Sequence, residues 1–131
     1  MIDAISLDAH WRCEYFEDDP DEVEFATGFD IPTLAGWVFD PLRVDGWAAW
    51  LEKRFDLPLQ DLCVNYDLSI DAAPPETRLF INGRDFGLIA PPLRFDVTDT
   101  VALEDNVIAL RVPSGSTAAF GSCRLITIPC E

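Results

Sequence analysis

The chain has 131 residues, of which 24 are Asp or Glu and 9 are Lys or Arg, giving a formal charge of -15 with 49% apolar residues. This length suits one domain with a real core, and the apolar content argues against disorder. Nucleic acid and anionic membrane surfaces are excluded as partners, because they are bound through Lys and Arg clusters that a chain of this charge does not offer. Met1 to His10 lack the basic and apolar regions of an export signal, and no stretch approaches the ~20 apolar residues of a spanning helix, so a soluble cytoplasmic protein is expected.

In chain order, His10 to Phe16 reads as an opening strand. Residues 14–24 overlap its end and place seven carboxylates in eleven positions with no cation, which suits a solvated loop. A Ca²⁺ loop is disfavoured, because Glu17-Asp18-Asp19-Pro20-Asp21 lacks the D-x-D-x-D-G spacing that wraps a chain around an ion. Lys53 is the single lysine and Asp outnumbers Glu two to one, a surface expected of a protein working in high salt. Residues 27–46 carry Thr27-Gly28, Ile31-Pro32, Ala35-Gly36, Asp40-Pro41 and Asp45-Gly46, and read as a long irregular excursion tied down by Phe29, Ile31, Leu34, Trp37, Val38, Phe39 and Leu42. Residues 45–55 fit a helix capped by Asp45 or a strand, and propensity leaves both open.

The second half is strand-like. In 62–71, Leu62, Val64, Tyr66, Leu68 and Ile70 alternate with Cys63, Asn65, Asp67, Ser69 and Asp71, the period of two that gives one dry and one wet face. Thr77 to Ile81 runs into Asn82-Gly83, the pair best suited to the two positive φ values of a tight hairpin turn, and Arg84 begins the return. Leu93, Phe95 and Val97 alternate with Arg94, Asp96 and Thr98, and 107–112 and 123–128 are two further strands. Short strands with regular turn punctuation predict an all-β antiparallel sandwich or barrel in a single domain, 1–131.

Little in the sequence is organised for catalysis. The cysteines, Cys13, Cys63, Cys123 and Cys130, have no CxxC spacing and the one histidine is His10, so no metal, zinc included, and no cofactor is expected. Three disulfide pairings are conceivable, but without an export signal free thiols are expected. His10 reads as a surface imidazole. With 24 acids in the chain, carboxylate pairs arise by chance and identify no active site.

The segments 50–58, 78–87 (Arg-Leu-Phe-Ile-Asn-Gly-Arg-Asp-Phe-Gly), 93–99 (Leu-Arg-Phe-Asp-Val-Thr-Asp) and 106–112 (Asn-Val-Ile-Ala-Leu-Arg-Val) together resemble the N-terminal sugar-binding-type domain of glycoside hydrolase family 2. The resemblance covers about 45–112. It implies a galactose-binding-like jelly-roll β-sandwich and favours a strand for 50–57. That family's catalytic carboxylates sit on a separate barrel that 131 residues cannot contain, so no catalytic residue is carried over and the chain is expected not to be an enzyme. A non-catalytic module remains, carbohydrate-binding or accessory to a glycoside hydrolase. Its candidate ligand-binding residues are Trp37, Phe39, Trp47 and Trp50 beside the excursion, and Asn82 and Arg84 at the hairpin. Each has a plainer reading as core cover or solvated turn. The alternative is an assembly subunit that docks on a protein partner or a second copy through the aromatic-rich segment 27–50.

Overall fold

The computed structural model describes residues 3–16, 28–40, 47–58, 63–115 and 117–130. The strands are β1 (Asp3–Ser6), β2 (Ala9–Phe16), β3 (Phe29–Thr33), β4 (Ala48–Phe55), β5 (Val64–Ile70), β6 (Arg78–Ile81), β7 (Arg84–Leu88), β8 (Leu93–Asp96), β9 (Asn106–Pro113) and β10 (Cys123–Pro129). They form a four-stranded sheet, β1-β10-β5-β8, and a six-stranded sheet, β3-β2-β4-β9-β6-β7. All pairings are antiparallel. This is the all-β sandwich that the alternating segments predict.

The core lies where the alternating apolar sides of the two sheets meet. Trp11 and Cys13 of β2, Leu51 of β4, Leu79 and Ile81 of β6 and Ile108, Leu110 and Val112 of β9 contribute from one sheet. Tyr66, Leu68 and Ile70 of β5 and Cys123 and Leu125 of β10 contribute from the other. The acids between the apolar residues of β5 face out, as their period requires. Asp67 pairs with Arg94 at 2.8 Å, and Asp71, just past the strand, with Arg124 at 2.9 Å.

The β6–β7 hairpin turns as the sequence predicts: Asn82 and Gly83 take φ of 50° and 81°, a conformation costly for most side chains but open to Asn and Gly. The Asn82 side chain ties the turn down. It donates to the Thr100 carbonyl and to Asn106 Oδ1, and accepts from the Val107 amide. Asn106, fully buried at the head of β9, exchanges hydrogen bonds with the Ala102 backbone in both directions at 2.7 Å.

Several expectations are refined or corrected. Of 45–55, Ala48–Phe55 is strand β4, held between β2 and β9. Leu51 faces the core while Ala48 and Glu52, of opposite phase, are also covered, so burial on both sides blurs the alternation. The excursion is less irregular than its turn residues suggest, because Phe29–Thr33 is an edge strand whose Pro32 lacks only a donor that an edge need not use. β1 was not foreseen; it is four residues long and pairs with β10. The expectation of four free thiols fails for one pair. Cys63 and Cys130 form a disulfide, because the register of β5 against β10 brings their Cα atoms to 5.3 Å. Cys13 and Cys123 are free and buried. His10 is exposed. In the acidic stretch, Glu14, Tyr15 and Phe16 belong to β2, and residues 17–24 lie outside the described residues, as do 41–46 of the excursion.

Candidate functional site

The sequence candidates separate into three places. Trp37 and Phe39 leave β3 through the turn at Leu34 and enter an aromatic cluster at one end of the sandwich. There Trp37 lies 5.8 Å from Phe120 and Phe39 lies 5.1 Å edge-on to Tyr15. Phe39 is buried, and the Tyr15 hydroxyl accepts from the Asp40 amide at 3.0 Å. These two rings pack against their neighbours. Trp47, half-buried against the core, accepts from the Ser114 amide through its carbonyl.

Asn82 and Arg84 sit at the hairpin. The three Asn82 side-chain bonds are structural, while the exposed Arg84 guanidinium rests 5.1 Å from the centre of the Phe86 ring.

Trp50 stands apart from all of these, on the outer face of the six-stranded sheet. Register dictates its surroundings: Glu14 of β2 and Arg111 of β9 lie directly opposite it, and Arg78 of β6 lies opposite Arg111. One step along, Arg12, Glu52, Ala109, Phe80 and Asp85 form the next row. Strands β4 and β6 are separated by β9, roughly two strand spacings of about 4.8 Å, yet the Trp50 and Phe80 rings approach to 5.4 Å. Ala109 permits this, since its methyl group leaves the space above β9 free for both rings.

Charged groups surround the aromatic pair. Arg54 donates to Glu52 at 2.7 Å, and Arg78 donates to both oxygens of Asp85. The Arg78 hydrogen bond, helped by the Gly87 amide, holds the Asp85 carboxyl below its ordinary range. The Trp50 indole Nε1 is buried without a hydrogen-bond partner among the described residues, a deficit that costs about 1–3 kcal/mol where no acceptor reaches it. Arg12, Arg54, Arg78 and Arg111, half of the chain's eight arginines, lie on this face with Glu14, Glu52 and Asp85. In a chain of charge -15 it is a region of near balance.

Sequence reasoning found Trp50 but missed Phe80, Arg111 and Glu14. Their signal was the outward phase of β6, β9 and β2, which becomes a shared surface only once the strand order is known.

No family model matches the chain, and no curated protein matches it in sequence. Solved structures do match its fold. An FMN-binding β-glucuronidase from Facaelibacterium prausnitzii L2-6 superposes with a TM-score of 0.70 at 18% identity, over 98% of this chain and 23% of that one. For a β-glucuronidase from Bacteroides uniformis the TM-score is 0.73 at 18% identity, over 98% of this chain and 18% of that one. A β-glucuronidase from glycoside hydrolase family 2 gives 0.70 at 18% identity, over 96% and 18%. The chain thus spans about a fifth of the length of these enzymes. At this identity the likeness is one of fold, and the chain has the β-sandwich fold of a module of glycoside hydrolase family 2 enzymes, as its hairpin and its Phe95 and Asn106 strands imply.

Proposed function

We propose that the chain is a non-catalytic accessory module of a glycoside hydrolase system and that it holds a saccharide on the Trp50–Phe80 face. The module reading is carried by one observation: the fold likeness takes in nearly the whole chain but only about a fifth of each enzyme. The choice of surface rests on chemistry. A half-buried indole supported by a second ring offers an apolar platform for the C–H face of a pyranose, and adjoining guanidinium and carboxylate groups can bond its hydroxyls. Fluorescence titration of the full chain with a glucuronide, a galactoside and a mannoside tests this reading. At least one class gives saturable binding, and Trp50→Ala weakens it by about tenfold or more, the loss typical of removing a central aromatic anchor. Absence of binding by all three removes the saccharide reading.

A second reading has its own observation. Phe29 and Val38, both within 27–50, are 49% and 44% exposed beside the aromatic cluster. Exposed apolar side chains next to a rigid cluster suit docking on a protein partner or a second copy. Sedimentation at micromolar concentration and co-purification with a hydrolase partner test it. A monomer without partner is the result that removes it.

A further inference from the structure

The charges on the Trp50–Phe80 face are paired with one another. Asp30 of β3 stands opposite Arg12 in register, so the four arginines of this face meet four carboxylates among the described residues. Arg54 lies 2.7 Å from the buried Glu52 carboxylate. Arg12 donates to the Gly28 carbonyl at 2.9 Å, with Asp30 at 3.9 Å. Glu14 and Arg111 also interact within the chain. The pair nearest the rings is Arg78 and Asp85. Asp85 stands opposite Phe80 across the hairpin, and Arg78 grips it with two nitrogens, Nε at 3.0 Å and a terminal nitrogen at 2.8 Å. That bond and the Gly87 amide keep the Asp85 carboxyl ionised.

Such a surface treats charged and uncharged sugars differently. A ligand carboxylate only accepts hydrogen bonds, and it gains most from a guanidinium that no other carboxylate engages. Here it must compete with Glu52 or Asp85 for an arginine, in the field of a chain of charge -15. A sugar hydroxyl both donates and accepts, so it can bond a guanidinium and a carboxylate together and leave their pair intact.

We propose that the Trp50–Phe80 face selects uncharged pyranosides over uronates, and that Asp85 sets this selectivity by occupying Arg78. The proposal rests on the saccharide reading above and adds to it the charge of the sugar and the residue that reads it.

Methyl β-galactoside, methyl β-mannoside and methyl β-glucuronide are titrated into the full chain, with tryptophan fluorescence as the readout. A neutral glycoside binds about fivefold or more tightly than the glucuronide. Asp85→Asn keeps an acceptor for the Gly87 amide but releases Arg78. It strengthens glucuronide binding about two- to fivefold, and the gain disappears in 1 M salt, while the neutral glycosides are unchanged. Adding Arg78→Gln to Asp85→Asn abolishes the gain, and circular dichroism checks that each variant is folded. A glucuronide that binds the native chain as tightly as the neutral sugars, and is lost in Trp50→Ala, overturns the selectivity while the saccharide reading stands. Glucuronide binding that Asp85→Asn leaves unmoved overturns the role of Asp85. Absence of binding by all three sugars removes the saccharide reading and this proposal with it.

Discussion

Trp11 and Trp50 stand on adjacent strands of one sheet and face opposite ways. Trp11 is fully buried between the sheets, and its indole N–H donates to the Leu7 carbonyl. Trp50 lies on the outer side of the same sheet, its ring tilted 34° against that of Phe80, with its N–H unpartnered among the described residues. The residue type is the same and only the phase of the strand differs. The inner indole has every requirement met by the fold and serves stability, whereas the outer one is only partly covered and lies among charged groups, which suits a binding role.

The largest effect is expected on the inner side. Trp11→Ala removes a fully buried indole and costs about 3–5 kcal/mol, read as a fall in the denaturant midpoint. Such a loss can prevent folding of a domain this size. A change below about 1 kcal/mol would break the distinction between the two tryptophans.

Next comes the Cys63–Cys130 bond, which closes a separation of 67 residues. Its loss in a Cys63→Ala, Cys130→Ala chain costs about 2–4 kcal/mol on the chain-entropy account. The two remaining thiols behave oppositely. Burial pushes Cys13 and Cys123 up to about 12, with Glu14 adding to the effect on Cys13 and Asp8 to that on Cys123. Both stay protonated and resist a thiol reagent at pH 8 until the chain is unfolded. The folded state keeps these protons when unfolded thiols, with an ordinary value of about 8.5, lose them. The stability involved is therefore full below about pH 8.5 and falls as pH rises toward 12.

A smaller loss is expected for Asn106→Ala, which leaves the Ala102 backbone groups and the Asn82 amide short of partners and costs about 1–3 kcal/mol. On the outer face, Trp50→Ala costs less, about 1–2 kcal/mol of stability, since that side chain is only partly covered and the N–H it removes is unpartnered among the described residues. The smallest effect is acidic. Asp85, hydrogen-bonded by Arg78, and Asp96, hydrogen-bonded by Thr98, are held below their ordinary range, so the stability they contribute is present above about pH 3.9 and lost as pH falls below it. An acid titration of the thermal midpoint reads this.

The sequence carries the fold wherever one side of a strand is wet. Tyr66, Leu68 and Ile70 against Asp67 and Asp71, and Asn82-Gly83 between β6 and β7, announce their roles locally. β4 was ambiguous because a central strand covered on both sides loses its alternation, and β3 was hidden because Pro32 reads as a break unless the strand is known to be an edge. The disulfide was missed for a different reason: Cys63 and Cys130 meet only through the β5–β10 register, a long-range fact. The same holds for the candidate surface. Trp50 is visible as an aromatic near an irregular segment, but its junction with Phe80 over Ala109 depends on β9 lying between β4 and β6, an order that local patterns do not encode.

The contrast between the two indoles is tested most directly by a heteronuclear NMR titration of the full chain, in which the tryptophan side-chain N–H signals are assigned and followed as glucuronide, galactoside and mannoside are added. The account predicts that one glycoside shifts the Trp50 signal in a saturable way while the Trp11 signal stays fixed. Saturable shifts at Trp37 or Trp47 with Trp50 unmoved, or no shift at any indole, would contradict it.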